Sequence, residues 1–169
     1  MLVNRESSKV LQSYRKRYLK FNEKGWNVER FFLITAILLG IGYMMINTPN
    51  SVYDERSHFL SAYHYSDVLL GQPFSMEDGT FQIRVEDLKS LHYSEYAGME
   101  TLKQVRENFA WFSDENEMTT FTFGVSGNFW QYLPQIVGIT LGRLLHLGHL
   151  PVYYLARLLN FAWYIVLTW

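Results

Sequence analysis

The sequence predicts an all-α membrane protein with three transmembrane helices and a helical extracytoplasmic loop. Three observations lead there. Mean hydropathy is near zero (−0.08), yet the apolar residues are gathered into a few uninterrupted runs with the charges between them. Trp and Tyr crowd the ends of those runs, where an apolar edge and a hydrogen-bonding edge suit the headgroup layer. The first thirty residues carry eight Lys and Arg against three acidic residues, a bias that holds the leading end in the cytoplasm. With no cysteine, the chain has no disulfide framework, zinc–thiolate site or thiol nucleophile, and its net charge of −1 gives no reason to expect a nucleic acid partner.

Residues 1–30 form the basic cytoplasmic segment. From Val10 to Phe21 the apolar residues Val10, Leu11, Tyr14, Tyr18 and Phe21 recur at roughly helical spacing. Two readings stand side by side: an amphipathic helix on an anionic leaflet, or a solvated basic tail.

Residues 31–49 form the first span. Its uncharged core, Phe31 to Ile46, is slightly short of the roughly 20 residues needed to cross hydrocarbon, and snorkelling by Arg30 covers the shortfall. The long basic lead and the absence of a small-x-small site before Pro49 predict an uncleaved anchor rather than a signal peptide.

Residues 50–128 form the loop. Counted from Asn47, it holds thirteen acidic and five basic residues, and its patterning predicts order. Ser51 and Asp54 read as a capping box for a helix from Val52 to Leu70 that stops at Gly71, with Pro73 beyond. A second helix is predicted over Val85–Tyr96 and a third over Met99–Phe112. The polar–aromatic alternation of Thr119–Phe123 predicts a short strand.

Residues 129–147 read as the second span, entered through Phe129, Trp130 and Tyr132. A tight turn follows at His146–Pro151, then the third span over 151–169, which is still apolar at Trp169, as expected of a piece of a longer polypeptide. Arg143 and Arg157 lie toward the cytoplasmic side in this topology. Arg157 sits ~9 Å into the third span, and both read as headgroup anchors rather than a phosphate clamp. Gly138 and Gly142, a small-xxx-small pair, predict close helix packing. His64, His92, His146 and His149 have no partners at metal spacing and read as surface or interfacial.

The densest chemical signal is Asp54-Glu55-Arg56-Ser57-His58, just past the first span. On a helix, Asp54 and His58 are i, i+4 neighbours, and Glu55 and His58 are i, i+3 neighbours. Two carboxylates and an imidazole on one surface suit a general base for a hydroxyl nucleophile, or oxygen ligands for a hard divalent cation. The same residues also suit plain helix-start roles, a cap and a dipole partner.

The motif D-E-x-x-H-F, here Asp54, Glu55, His58 and Phe59, resembles the aspartate–glutamate pattern in the first external loop of GT-C glycosyltransferases. With the later Tyr132-Leu133-Pro134-Gln135, Gly138, Gly142-Arg143 and Arg157-Leu158-Leu159-Asn160, the chain resembles a bacterial family of predicted integral membrane proteins grouped with that superfamily. The resemblance covers about residues 30–169, the N-terminal part of a polytopic GT-C-like helical bundle. It implies transfer of a sugar from a polyprenyl-phosphate-linked donor in the bilayer to an extracytoplasmic glycan or protein acceptor. Asp54 would be the base, with Glu55 and His58 supporting it. It leaves open a divalent metal, Mg or Mn, held by Asp54, Glu55 and His58. The reading from another class is a non-enzymatic multi-spanning component, a transport subunit or a scaffold.

Overall fold

A computed structural model describes residues 10–17, 28–93 and 98–169. The chain divides into two compact units, residues 1–39 and 40–169. In the first, residues 10–17 are helical, as the amphipathic pattern predicts, while Tyr18 and Phe21 lie outside the described residues. Helix α1, Val28–Ile46, begins there and ends in the second unit. It starts three residues earlier than the apolar run, with Glu29 favourably placed in its first turn. Nineteen residues rise ~28 Å, which removes the expected shortfall against a ~30 Å hydrocarbon layer. None of its residues is buried, although nearly all are apolar. Lipid is the solvent such a helix fits.

The second unit is built around α2, Glu55–Leu70. Nine consecutive residues, Phe59 to Asp67, are buried, so this helix is enclosed on every side rather than laid on a surface. It stops at Gly71 as predicted: the glycine takes φ 63° and its amide donates to the Asp67 carbonyl. Its start differs from the prediction. Asp54 is the left-handed N-cap residue, its side chain makes no capping bond, and Ser51 Oγ donates to Thr48 O at 2.7 Å instead. The capping box expected there does not form.

A three-stranded antiparallel sheet in the order β1-β2-β3 covers one side of α2. Its strands are β1 (Phe74–Ser75), β2 (Thr80–Arg84) and β3 (Met118–Thr122). Phe81 pairs with Phe74 on one side and Phe121 on the other, and Phe81 and Ile83 turn into the core. β3 lies where the alternation of Thr119–Phe123 predicts a strand, but the hairpin before it makes this an α+β unit rather than an all-α loop. Gly79 closes that hairpin at φ 65°, and a Cβ there would lie 2.5 Å from the Phe123 carbonyl oxygen.

The other loop helices are shorter than predicted. α3 spans only Val85–Leu88 and runs into a 3-10 turn at Lys89–His92, and α4 spans Met99–Glu107.

The expected second span at 129–147 is corrected. Phe129–Tyr132 form a 3-10 turn, opened by a capping box between Asn128 and Gln131, and α5 occupies Leu133–Leu144. Twelve residues rise ~18 Å, too little for the hydrocarbon layer. Ile136 and Ile139 are fully buried, in one core with Leu60, Tyr63, Phe81, Val152 and Tyr153. The turn after α5 is also tied to the loop. Phe112 bridges Leu147, Ser113 N donates to His146 O at 2.9 Å, and Gly148 N donates to Trp111 O at 3.1 Å. Those pairings hold the C-terminal end of α5 within the folded unit.

α6, His149–Thr168, follows within the same unit. Residues from His149 to Ala156 supply its buried side chains, whereas beyond Arg157 none is buried. Gly138 and Gly142 work as predicted. A Cβ at Gly138 would stand 2.8 Å from Ala156 Cα, and one at Gly142 would stand 2.8 Å from a Val152 methyl, so α5 and α6 meet backbone to backbone. Of the described helices, α1 and α6 are the two long and apolar enough to cross a membrane.

Candidate functional site

The end of α1 and the start of α2 bring Asp54, Glu55 and His58 to one corner of the second unit, but give them three different tasks. Glu55 is bound side-on by Arg157 of α6. Arg157 Nη2 donates to Glu55 Oε2 at 2.7 Å while Nε engages Oε1. The same guanidinium takes the Asn47 carbonyl, and Nη2 donates to the Thr48 carbonyl at 2.9 Å. Those two carbonyls directly follow α1, where a cation is electrostatically welcome. Arg157 is therefore a clasp between three chain segments, not the headgroup anchor expected.

His58 Nδ1 lies 3.0 Å from the Tyr132 hydroxyl, which in turn sits 3.3 Å from Ser126 Oγ. Ser126 also meets Ser61 and Ser57 at 3.2 and 3.4 Å. This line of hydroxyls ties α2 to the segment before α5.

Asp54 is left over. It is exposed, stands at φ 60°, and its carboxylate has no hydrogen-bond or ion-pair partner among the described residues. Asp is one of the few residues that tolerate this conformation, and residues held there are over-represented at functional positions. A cavity of about 570 Å³ opens beside it, lined by residues 50–54, Arg56, Ser57 and Phe123.

The arrangement does not suit a metal bound by all three residues. Both Glu55 oxygens are taken by Arg157, His58 Nδ1 faces Tyr132, and no cluster of three His or acidic side chains is placed to hold an ion among the described residues. It does suit a single free carboxylate with its neighbours locked.

A second layer of buried charge holds α2 and the sheet in place. Arg143 Nη1 lies 2.8 Å from Asp67 Oδ1 and donates to Ser66 Oγ at 3.0 Å, and its guanidinium covers the Tyr63 ring at 4.4 Å. This corrects the reading of Arg143 as a cytoplasmic anchor. Burial pushes the Asp67 carboxyl up from its usual range, against the pull of Arg143. Tyr63 donates to Asp87 Oδ2 at 2.6 Å, and Arg84 grips Asp87 through Nε and Nη2 at 2.7 and 2.8 Å. Burial, then the Asp87 charge, raises the Tyr63 hydroxyl well above its ordinary value.

Two histidines expected at the surface are buried. His64 lies against the sheet aromatics, and His149 Nδ1 pairs with Glu86 Oε1 at 2.8 Å. Arg157, Tyr132 and Ser126 are the residues the motif reading of this corner missed. The available signals were an arginine inside an apolar run and a Gly-x-Ser-Gly turn, neither of which names a partner.

Residues 37–169 match the family described as Predicted membrane protein (DUF2142). That is most of the chain. The chain belongs to this family. The match begins inside α1 and takes in the Asp54 corner, the sheet, α5 and α6. In this family member the two candidate spans agree with the family's description as a membrane protein. No curated protein and no solved structure matches it.

Proposed function

We propose that this protein is a multi-pass membrane glycosyltransferase of the GT-C type, working on the extracytoplasmic face with its N-terminus in the cytoplasm. The basic residues before α1 support that orientation. It puts the Asp54 corner outside, at the outer leaflet.

In this reading Asp54 is the general base. An acceptor hydroxyl oxygen attacks the anomeric carbon of a sugar carried on polyprenyl phosphate, and the hydroxyl proton passes to the Asp54 carboxylate. The bond from sugar to phosphate breaks, and the lipid phosphate leaves with the electron pair. The observation that carries the reading is the contrast within one motif: Glu55 and His58 are committed to Arg157 and Tyr132, while Asp54 alone faces a cavity without a partner. Glu55 and His58 then position the base and do not touch the reacting atoms. A carboxylate fixed just beyond a span can meet a membrane-borne donor and a water-borne acceptor together.

The same contrast gives the non-enzymatic reading its support, since two of the three motif residues have structural partners. Asp54→Asn in the complete protein separates the two. Loss of the surface glycan with normal membrane levels of the variant supports catalysis. Unchanged glycan at normal levels removes Asp54 from the chemistry and leaves the scaffold or transport reading.

A further inference from the structure

A second cavity of about 560 Å³ lies between α3, α4 and the start of α6, and shares no lining residue with the one at Asp54. Its floor is a continuous hydrogen-bonded line. Glu86 Oε1 meets His149 Nδ1 at 2.8 Å, and His149 Nε2 meets the Tyr93 hydroxyl at 3.2 Å, with the two rings stacked. All three residues are buried. Asn108 lines the same cavity near that hydroxyl.

The charges here are already matched. The Lys89 ammonium lies 2.6 Å from Glu86 and 2.8 Å from Glu115, so it is shared between two carboxylates. A phosphate or nucleotide entering would have to compete with both acids for the one lysine. The rim instead offers neutral groups that both donate and accept. The side chains of His92 and Gln104 have no hydrogen-bond partner among the described residues, and Asn108 keeps amide capacity to spare. Phe112 stands at the mouth, 70% exposed. An exposed aromatic face beside unspent amides is a poor feature for solubility, and a good one for a ligand with one apolar face and a ring of hydroxyls.

We propose that this cavity is a binding site for a neutral polyhydroxylated ligand, a sugar ring or pair of rings. The Phe112 ring covers the sugar's C–H face, and Gln104, Asn108 and His92 exchange hydrogen bonds with its hydroxyls. The volume falls within the range of small-molecule sites. This site stands apart from the Asp54 proposal, because a sugar-binding scaffold would need it as much as an enzyme.

The test uses the full chain in lipid nanodiscs, so that no maltoside headgroup competes. Glucose, galactose, mannose, N-acetylglucosamine and their β-1,4-linked disaccharides are titrated by saturation-transfer NMR, with inorganic phosphate as the anionic comparison. At least one saccharide saturates in the millimolar range, and phosphate at equal concentration does not displace it. Asn108→Ala and Phe112→Ala each weaken that binding about tenfold, the effect of one lost hydrogen bond or ring contact. Both side chains are exposed, and circular dichroism confirms that the variants keep the fold. The proposal is overturned if no saccharide in the panel saturates, if both variants bind as the parent does, or if phosphate is the ligand that binds.

Discussion

Arg157 and Glu55, 102 positions apart, are joined side by side, with Nη2 to Oε2 at 2.7 Å and Nε to Oε1. Both side chains are mostly shielded from solvent, at 12% and 17% exposure. The pair fastens α6 to the residue next to Asp54, and so sets where the free carboxylate stands.

Arg157→Ala leaves the Glu55 carboxylate and two carbonyls without their donor. Removing one partner of a shielded pair costs about 3 kcal/mol, so the thermal midpoint of the purified protein falls by several degrees. Arg157→Lys recovers only part, because an ammonium cannot serve both carboxylate oxygens and the carbonyls in one plane. If Arg157→Ala melts with the parent, the clasp has no structural weight.

Gly138→Ala places a methyl where Ala156 Cα stands 2.8 Å away. Overpacking of this kind costs about 1–3 kcal/mol. Gly98, with open space around its Cβ position, is the control that should tolerate the same change. Equal behaviour of the two variants in urea titrations would contradict the close α5–α6 contact.

Glu86 gives a pH signature. Burial by itself raises its carboxyl, but hydrogen bonds from Lys89 and His149 outweigh burial and hold it at about 2, against an ordinary 4.5. A carboxyl depressed by folding stabilises the protein above its unfolded value, and that contribution is lost as pH falls from 4.5 toward 2. Glu86→Gln therefore narrows the fall in thermal midpoint across that window relative to the parent. Parallel curves for the two proteins would show that the carboxylate is not held by these partners.

The chain has no cysteine of its own, so single cysteines report topology cleanly. Tyr53→Cys and Leu145→Cys, both at exposed positions, react with a membrane-impermeant maleimide in intact cells. Leu11→Cys reacts only after permeabilisation. Protection of Leu145→Cys while Tyr53→Cys is labelled would restore α5 as a membrane span.

The parts of the fold legible in the sequence are those set by local rules. α1 follows from a run with no charge, the stop of α2 from Gly71 before Pro73, and β3 from alternation at Thr119–Phe123. The β1–β2 hairpin was present as an Asp78-Gly79 turn ahead of the alternating Thr80-Phe81-Gln82-Ile83-Arg84, a pattern hidden between two helical readings. α5 misled because a helix buried in protein and a helix in lipid need the same apolar side chains, and only its twelve-residue length tells them apart. At the candidate site, the proximity of Asp54, Glu55 and His58 followed from spacing. The partners that divide their roles, Arg157 and Tyr132, lie on distant segments, and no local pattern specifies a contact across 102 or 74 positions.

The seam at Gly148, where a Cβ would collide with the Ala110 carbonyl, has a bearing on biogenesis. Gly148, His149 and Arg157 leave the ribosome long after the segments they meet, around Ala110, Glu86 and Glu55. Until they arrive, Glu55 has no cation and Glu86 no imidazole, and the sheet and α2 wait half-assembled. A nascent chain halted before residue 148 thus lacks the partners of both carboxylates, and synthesis of α6 is the step that supplies them.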